Sequence, residues 1–258
     1  MTSLSLALGL GLGPRGGFDP VSLFADGSQG FIFDPSDITT LFQDSGGTTP
    51  VTAPGQNAVL MRDKSGRGNH ATLTNVVYQV DGTGRPYLSF NGTTSSGVTP
   101  TITPGTNKAQ VFAGVRKLSD AAQGIVLESG AGGAQTISLE APRAASATFS
   151  FASRGSVGVV AVSPATFAAP TTRVLTGIGD IGADNVLIRV NGTLATQLSN
   201  DQGTGNYNAN PLYLGARSGT SLFFNGRLYA SLVRFGSTLS AAEVAQIEAW
   251  INSKTGAY

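Results

Sequence analysis

Val186-Leu187-Ile188-Arg189-Val190-Asn191-Gly192 is the stretch on which the reading of the whole chain turns. Successive side chains of a strand point to opposite faces, so residues 186, 188 and 190 share one apolar face. The Asn-Gly pair directly behind them supplies the positive φ angles that a tight hairpin turn requires. The segment therefore predicts a half-buried strand that ends in a hairpin.

Working outward, the same signals recur at short intervals. Further strands are predicted at Tyr87–Phe90, Gln110–Lys117, Gly124–Ser129, Gln135–Glu140, Ala147–Ser153, Val157–Val162, Thr172–Gly177, Leu212–Ala216 and Arg227–Phe235, with Asn185–Val190 among them. Each is bounded by Gly, Pro, Asn or Ser clusters. Asn91-Gly92 and Asn225-Gly226 also stand at strand ends and predict further hairpins. Many short strands with few helices indicate an all-β sandwich or barrel. One helix is expected at the end of the chain. Ser240-Ala241-Ala242-Glu243 has the form of a capping box, Val244, Ile247 and Ile251 lie on one face with Trp250 at its border, and Gly256 follows.

Upstream the pattern weakens. From Phe18 to Asn75 the chain reads as irregular, with a short apolar run at Phe31-Ile32-Phe33, a short helix over Ser36–Phe42 and a loop over Ser45–Gln56. At the front, Leu4, Leu6, Leu8, Leu10 and Leu12 alternate with small residues, which is strand spacing. The only nearby base, Arg15, follows the apolar part, unlike a signal peptide. Such a strand needs a pairing partner, because an unpaired apolar edge aggregates. Period alone does not choose between its own domain and a neighbour's sheet edge. With Gly13-Pro14-Arg15-Gly16-Gly17 as a hinge, the expected division is a docking arm over residues 1–17 and a sandwich over residues 18–258.

Composition narrows the function. Charged residues make up 12% of 258 and glycine accounts for 35 positions, so the surface suits a packed assembly or an extracellular setting. Net charge is +1 with the basic residues scattered, which argues against nucleic acid as a partner. There is no cysteine, hence no disulfide and no thiolate metal site. No apolar run is long enough for membrane insertion.

Several short motifs resemble one fold family. Asp63-Lys64-Ser65-Gly66-Arg67-Gly68-Asn69-His70-Ala71, Leu88-Ser89-Phe90-Asn91-Gly92, Ile188-Arg189-Val190-Asn191-Gly192, Leu212-Tyr213-Leu214-Gly215 with Phe224-Asn225-Gly226-Arg227-Leu228, and Leu239-Ser240-x-x-Glu243-Val244 are similar, in order, to motifs of laminin-G-like, concanavalin A-like domains. That resemblance implies a two-sheet antiparallel jelly-roll sandwich with a short C-terminal helix and an extended N-terminal arm. It says little about ligand, since this fold hosts lectins, glucanases, adhesion modules and viral proteins. A second resemblance lies in the lead-in: Phe33-Asp34-Pro35-Ser36-Asp37, Leu41-Phe42-Gln43-Asp44, Thr48-Thr49-Pro50-Val51-Thr52 and Met61-Arg62-Asp63-Lys64-Ser65-Gly66 are similar to segments of bacteriophage particle proteins. It implies a virion surface location, with other virion proteins and sister chains as partners.

Catalytic residues are not expected. Glucanases of this fold carry acidic residues at alternate positions of one strand, whereas Glu128, Glu140, Glu243 and Glu248 each lack an acidic neighbour two positions away. Capping and solvation account for the last two. His70 is the only histidine and reads as a turn residue. Asp63, Ser65 and Asn69 are weak calcium candidates, with hydrogen bonding to their own turn as the alternative. No other cofactor is expected. The most ligand-like loop is polar and carries one aromatic, with Asp201, Gln202, Asn206, Tyr207, Asn208 and Asn210 as candidate glycan contacts against the alternative of a solvated connector. The expected function is a non-enzymatic structural or binding protein on a tailed-phage particle, as fibre, spike, baseplate or head decoration. Its jelly roll would face outward, with weak host-glycan recognition strengthened by multivalency in a homo-oligomer. A free lectin-like module is the alternative, and a glycan hydrolase a more distant one.

Overall fold

The computed structural model describes residues 17–258. The docking-arm leucines Leu4, Leu6, Leu8, Leu10 and Leu12 lie outside the described residues. In chain order the strands are β1 (Gln29–Phe33), β2 (Leu41–Phe42), β3 (Asn57–Met61), β4 (Ala71–Val80), β5 (Pro86–Asn91), β6 (Ser96–Ile102), β7 (Lys108–Lys117) and β8 (Ile125–Ser129). They continue with β9 (Ile137–Glu140), β10 (Ser150–Arg154), β11 (Gly158–Val162), β12 (Thr171–Asp180), β13 (Asn185–Val190), β14 (Thr193–Leu198), β15 (Asn210–Leu214) and β16 (Asn225–Phe235), before helix α1 (Ala241–Thr255).

The strand ladders are antiparallel and run β11-β10-β9-β8-β15-β6-β4-β5-β16-β7-β12-β13-β14. The ribbon turns a corner at β4: Thr72–Thr74 pair with β6, Val77–Val80 pair with β5, and Asn75 between them takes a left-handed φ of 52°. Folded there, the ribbon closes on itself, so that β10 lies across from β12 and β13, and β11 across from β13 and β14. The result is an all-β antiparallel sandwich with a single C-terminal helix, as a concanavalin A-like jelly roll requires.

Alternation decides which residues fill the space between the sheets. Leu127, Leu139, Phe151, Leu212 and Leu214 from one sheet meet Val111, Val115, Leu175, Val186, Ile188 and Val233 from the other in a single cluster. The opposite face of the second sheet is also apolar, with Phe112, Val174, Ile178, Ala230 and Leu232 covered by Val244, Ile247 and Ile251 of α1. Gly114 lets the helix approach, because a Cβ there would stand 2.3 Å from Thr255 Cγ2. The capping box is formed as predicted: Ser240 Oγ accepts from Glu243 N, Glu243 receives Ser240 N, and Gly256 ends the helix at φ 58°. One sheet is thus roofed by a helix, and the outward face of the other has no helix on it among the described residues.

The lead-in holds more structure than its sequence predicts. β1, β3 and the first half of β4 lie within the stretch expected to be irregular. β1 is buried on both faces, between the inter-sheet core and the helix layer, so its apolar run lacks alternation. The expected helix over 36–42 is a 3-10 turn, Ile38–Thr40, followed by β2. Of the three Asn-Gly pairs, only Asn191-Gly192 makes a two-residue hairpin, with φ of 50° and 75° joining β13 to β14. Asn91-Gly92 ends β5, but β6 pairs with β4 instead. Asn225-Gly226 opens β16, where glycine is needed because a Cβ would stand 2.5 Å from Arg116 O.

Candidate functional site

The loop singled out from sequence splits into anchors and exposed residues. Gln202 is fully buried: its Nε2 donates to Asp180 O at 2.9 Å, and its Oε1 accepts from Ser153 Oγ. Tyr207 is buried beside Phe235, its hydroxyl 2.7 Å from Ser153 Oγ, and burial pushes its phenol well above the ordinary range. A sugar in solution has no access to either side chain, so their assignment as ligand contacts is corrected to anchoring the loop. Asp201, Asn206 and Asn208 are exposed and Asn210 is half-buried at the start of β15. Asp201 Oδ1 accepts from Gly203 N, so it also shapes its own turn.

The Asp63 segment is a latch. Asp63 Oδ1 accepts from Ile32 N at 2.9 Å and Ser65 N at 2.8 Å, and Oδ2 from Ser65 Oγ at 2.7 Å and Asn69 N at 3.0 Å. Asn69 Nδ2 donates to Gly30 O at 2.7 Å, tying the turn to β1. Both carboxylate oxygens of Asp63 face protein donors, which is the hydrogen-bonded turn expected of Asp63 and Ser65. No group of three or more His, Cys, Asp or Glu residues suited to a metal occurs among the described residues. His70 is exposed, and its Nδ1 accepts from Asp63 N at 3.0 Å.

The outward face of the helix-free sheet carries the densest polar arrangement. Cross-strand partners share a face, so Ala152, Ser138, Glu128, Tyr213, Val98 and Thr72 form one row across β10, β9, β8, β15, β6 and β4. Arg154 and Glu140 lie two residues further along their strands, on the same face. Glu128 is fully buried beneath Arg217, which forks onto it at 2.9 to 3.2 Å. Burial pushes the Glu128 carboxyl above its usual range against the pull of Arg217. Glu140 is buried and accepts from Ser150 Oγ at 2.8 Å and Ser138 Oγ at 3.3 Å. Arg154 donates to Ser138 Oγ at 3.4 Å, and burial draws its guanidinium down from its usual value. Glu140 and Glu128 lie close enough to attract Arg154, and Arg217 and Arg143 repel it to a lesser degree. The carboxylates form a lower tier, and the half-buried Arg154, Arg217 and Tyr213 lie nearer solvent.

Sequence reasoning passed over this site because it looked for carboxylates along one strand. Here Glu128 and Glu140 belong to adjacent strands, brought together by register. Their signal was a single carboxylate late in a short strand that otherwise carries no charge, Ile125-Val126-Leu127-Glu128-Ser129 and Ile137-Ser138-Leu139-Glu140. Glu248 likewise departs from expectation: it is not solvated but buried on α1, 2.8 Å from both Arg189 Nε and Thr176 Oγ1. Trp250 is half-buried against the helix-side cluster.

A concavity lies at the sandwich edge between the β11–β12 connection and the β13–β14 hairpin. It has a volume of about 360 Å³ and is lined by Phe167, Arg173, Val190, Asn191 and Leu194 among others. The Phe167 ring is occupied, stacked on Phe149 with centroids 5.2 Å apart and with Arg173 over it at 4.9 Å.

Known structures share this architecture at low identity. The botulinum neurotoxin serotype G binding domain matches with a TM-score of 0.56 and 13% identity, over 76% of this chain and 51% of its own. The receptor-binding domain of botulinum neurotoxin D matches with a TM-score of 0.56 and 10% identity, over 74% and 50%. Domain 4 of a GH43 extracellular arabinanase from Geobacillus stearothermophilus, in complex with arabinotriose, matches with a TM-score of 0.56 and 15% identity, over 72% and 91%. The chain therefore spans about half the length of the neurotoxin domains and most of the arabinanase domain. At these identities the likeness is one of fold. No curated protein sequence matches the chain. A family model matches residues 115–245, just over half of the 258, and on that match the chain belongs to the concanavalin A-like lectin/glucanases superfamily.

Proposed function

We propose that the protein is a non-enzymatic glycan-binding module, with the outward face of the helix-free sheet as its binding surface. The observation that carries this reading is the cluster of Arg154, Arg217 and Tyr213 over buried Glu128, in which the Arg217 fork is fixed by Glu128 before any ligand arrives. Preorganised donors bind sugar hydroxyls without a further loss of side-chain freedom. Tyr213 adds an aromatic ring beside them. Two kinds of structural neighbour, a toxin receptor-binding domain and an arabinanase domain holding arabinotriose, support a reading of glycan recognition.

Hydrolysis is disfavoured by the same geometry. Glycoside cleavage needs two carboxylates that reach the scissile bond. Glu128 and Glu140 are buried and engaged with Arg217, Ser138 and Ser150, so neither reaches a bound sugar. A glycan array probed with the full chain tests the reading: selective binding that Tyr213→Ala and Arg217→Ala weaken supports it, and failure to retain any glycan overturns it.

The module's setting in this proposal is the surface of a tailed-phage particle, with the leading leucines docking on virion proteins or sister chains. The low charge content and the two-residue spacing of Leu4 to Leu12 support that setting. Imaging of intact particles bearing the tagged protein, with and without residues 1–17, is the corresponding test. Incorporation should be lost with the deletion while glycan binding by the module is kept.

A further inference from the structure

The open-sheet site has an imbalance between donors and acceptors. A guanidinium carries five N–H donors. Arg154 has one side-chain hydrogen bond, the 3.4 Å contact from Nη1 to Ser138 Oγ, and no ion pair among the described residues. Arg217 uses Nε and Nη2 on Glu128, leaving Nη1 without an acceptor among the described residues. Arg143 has neither a side-chain hydrogen bond nor an ion pair there.

The acceptors beneath them are already engaged. Both oxygens of Glu128 face Arg217, and both oxygens of Glu140 face serine hydroxyls. In formal charge, Arg143, Arg154 and Arg217 contribute three positive charges against two negative from Glu128 and Glu140, which leaves the site at +1. A neutral sugar offers these donors only uncharged hydroxyl, ring and glycosidic oxygens, and so leaves the excess positive charge uncompensated. A carboxylate or sulfate brings acceptors alone and matches the fork of a guanidinium.

We propose that this site takes an acidic glycan, whose carboxylate or sulfate group lies against Arg154 with Arg143 and Arg217 beside it. The inference rests on the glycan-binding reading above and names its ligand class. The partly buried Arg154 is the anchor, since a charge removed from water gains most from a partner. Arg217, fixed by Glu128, is a positioning residue that also offers Nη1.

Calorimetry with the full chain tests it. The probes are hexagalacturonate, its fully methyl-esterified form, a sulfated oligosaccharide of similar length, and sodium sulfate alone. We expect one of the two acidic oligosaccharides to bind at least about tenfold more tightly than the ester, and Arg154→Gln to remove about that tenfold advantage. Whether the carboxylated or the sulfated probe binds identifies the group. Arg143→Gln, on the connection between β9 and β10, is the second variant should Arg154→Gln fail to fold, and is expected to weaken acidic binding with no loss of thermal stability. Equal binding of acid and ester, or an unchanged affinity in both variants, overturns acidic specificity while leaving glycan binding intact. Binding of sodium sulfate with no binding of any oligosaccharide, an adventitious ion only, overturns both readings.

Discussion

Glu248 shows how a single side chain fixes the helix to the sheet. Its carboxylate lies under α1 and joins Arg189 on β13 to Thr176 on β12. Removing one partner of a buried pair leaves the other uncompensated, so Glu248→Ala should destabilise the protein by about 3–5 kcal/mol in urea unfolding. Asp81 contributes to the acid sensitivity, together with Asp44, which hydrogen bonds also hold at about 2. Burial raises the Asp81 carboxyl, but hydrogen bonds from Thr83, Arg85 and Tyr229 outweigh this and hold it at about 2. A carboxyl depressed in the folded state stabilises above its unfolded value and loses that contribution as pH falls. Stability should therefore drop between about pH 4 and pH 2, and Asp81→Asn should flatten that part of the profile. A carboxyl resonance of Asp81 titrating near pH 4 would contradict the assignment. At this scale the sequence was partly legible. The motif around Asp63 was read as a turn with hydrogen-bonding Asp and Ser, but Glu248, Glu128 and Glu140 have meaning only through partners many residues distant.

Elements with strong local signals were read correctly, and those shaped by tertiary contacts were not. The capping box of α1 and the alternation of β13 are encoded in a few neighbouring residues. Ser240→Ala should cost about 1 kcal/mol in thermal or urea unfolding, because the Glu243 N–H loses its acceptor. β1 lacked alternation because both of its faces are buried, and β4 was obscured by the corner at Asn75. β14, the last strand of the ladder path, was missed because its residues are largely exposed or half-buried, leaving no apolar face to detect. Asn-Gly makes a hairpin only where the next strand returns beside the last: Gly92 is left-handed, yet β6 pairs with β4, and at Asn225 the pair serves a close approach instead. The ligand-like loop was correctly seen as polar, yet Gln202 and Tyr207 are its internal anchors. Polarity alone does not reveal which way a side chain faces.

At the scale of the molecule, the two outer faces have different roles. The apolar outer face is used up by α1, while the other keeps its charged row free of a helix. In the proposed function the asymmetry divides the work: one face stabilises the sandwich, and the other offers donors above buried carboxylates. The most direct test is an NMR titration of isotopically labelled protein with the glycan that an array selects. The account predicts that saturable shifts gather on β8, β9, β10 and β15, around Glu128, Ser138, Arg154, Tyr213 and Arg217. Shifts confined to the exposed loop at Asp201–Asn208, or to the edge groove at Phe167 and Leu194, would contradict it.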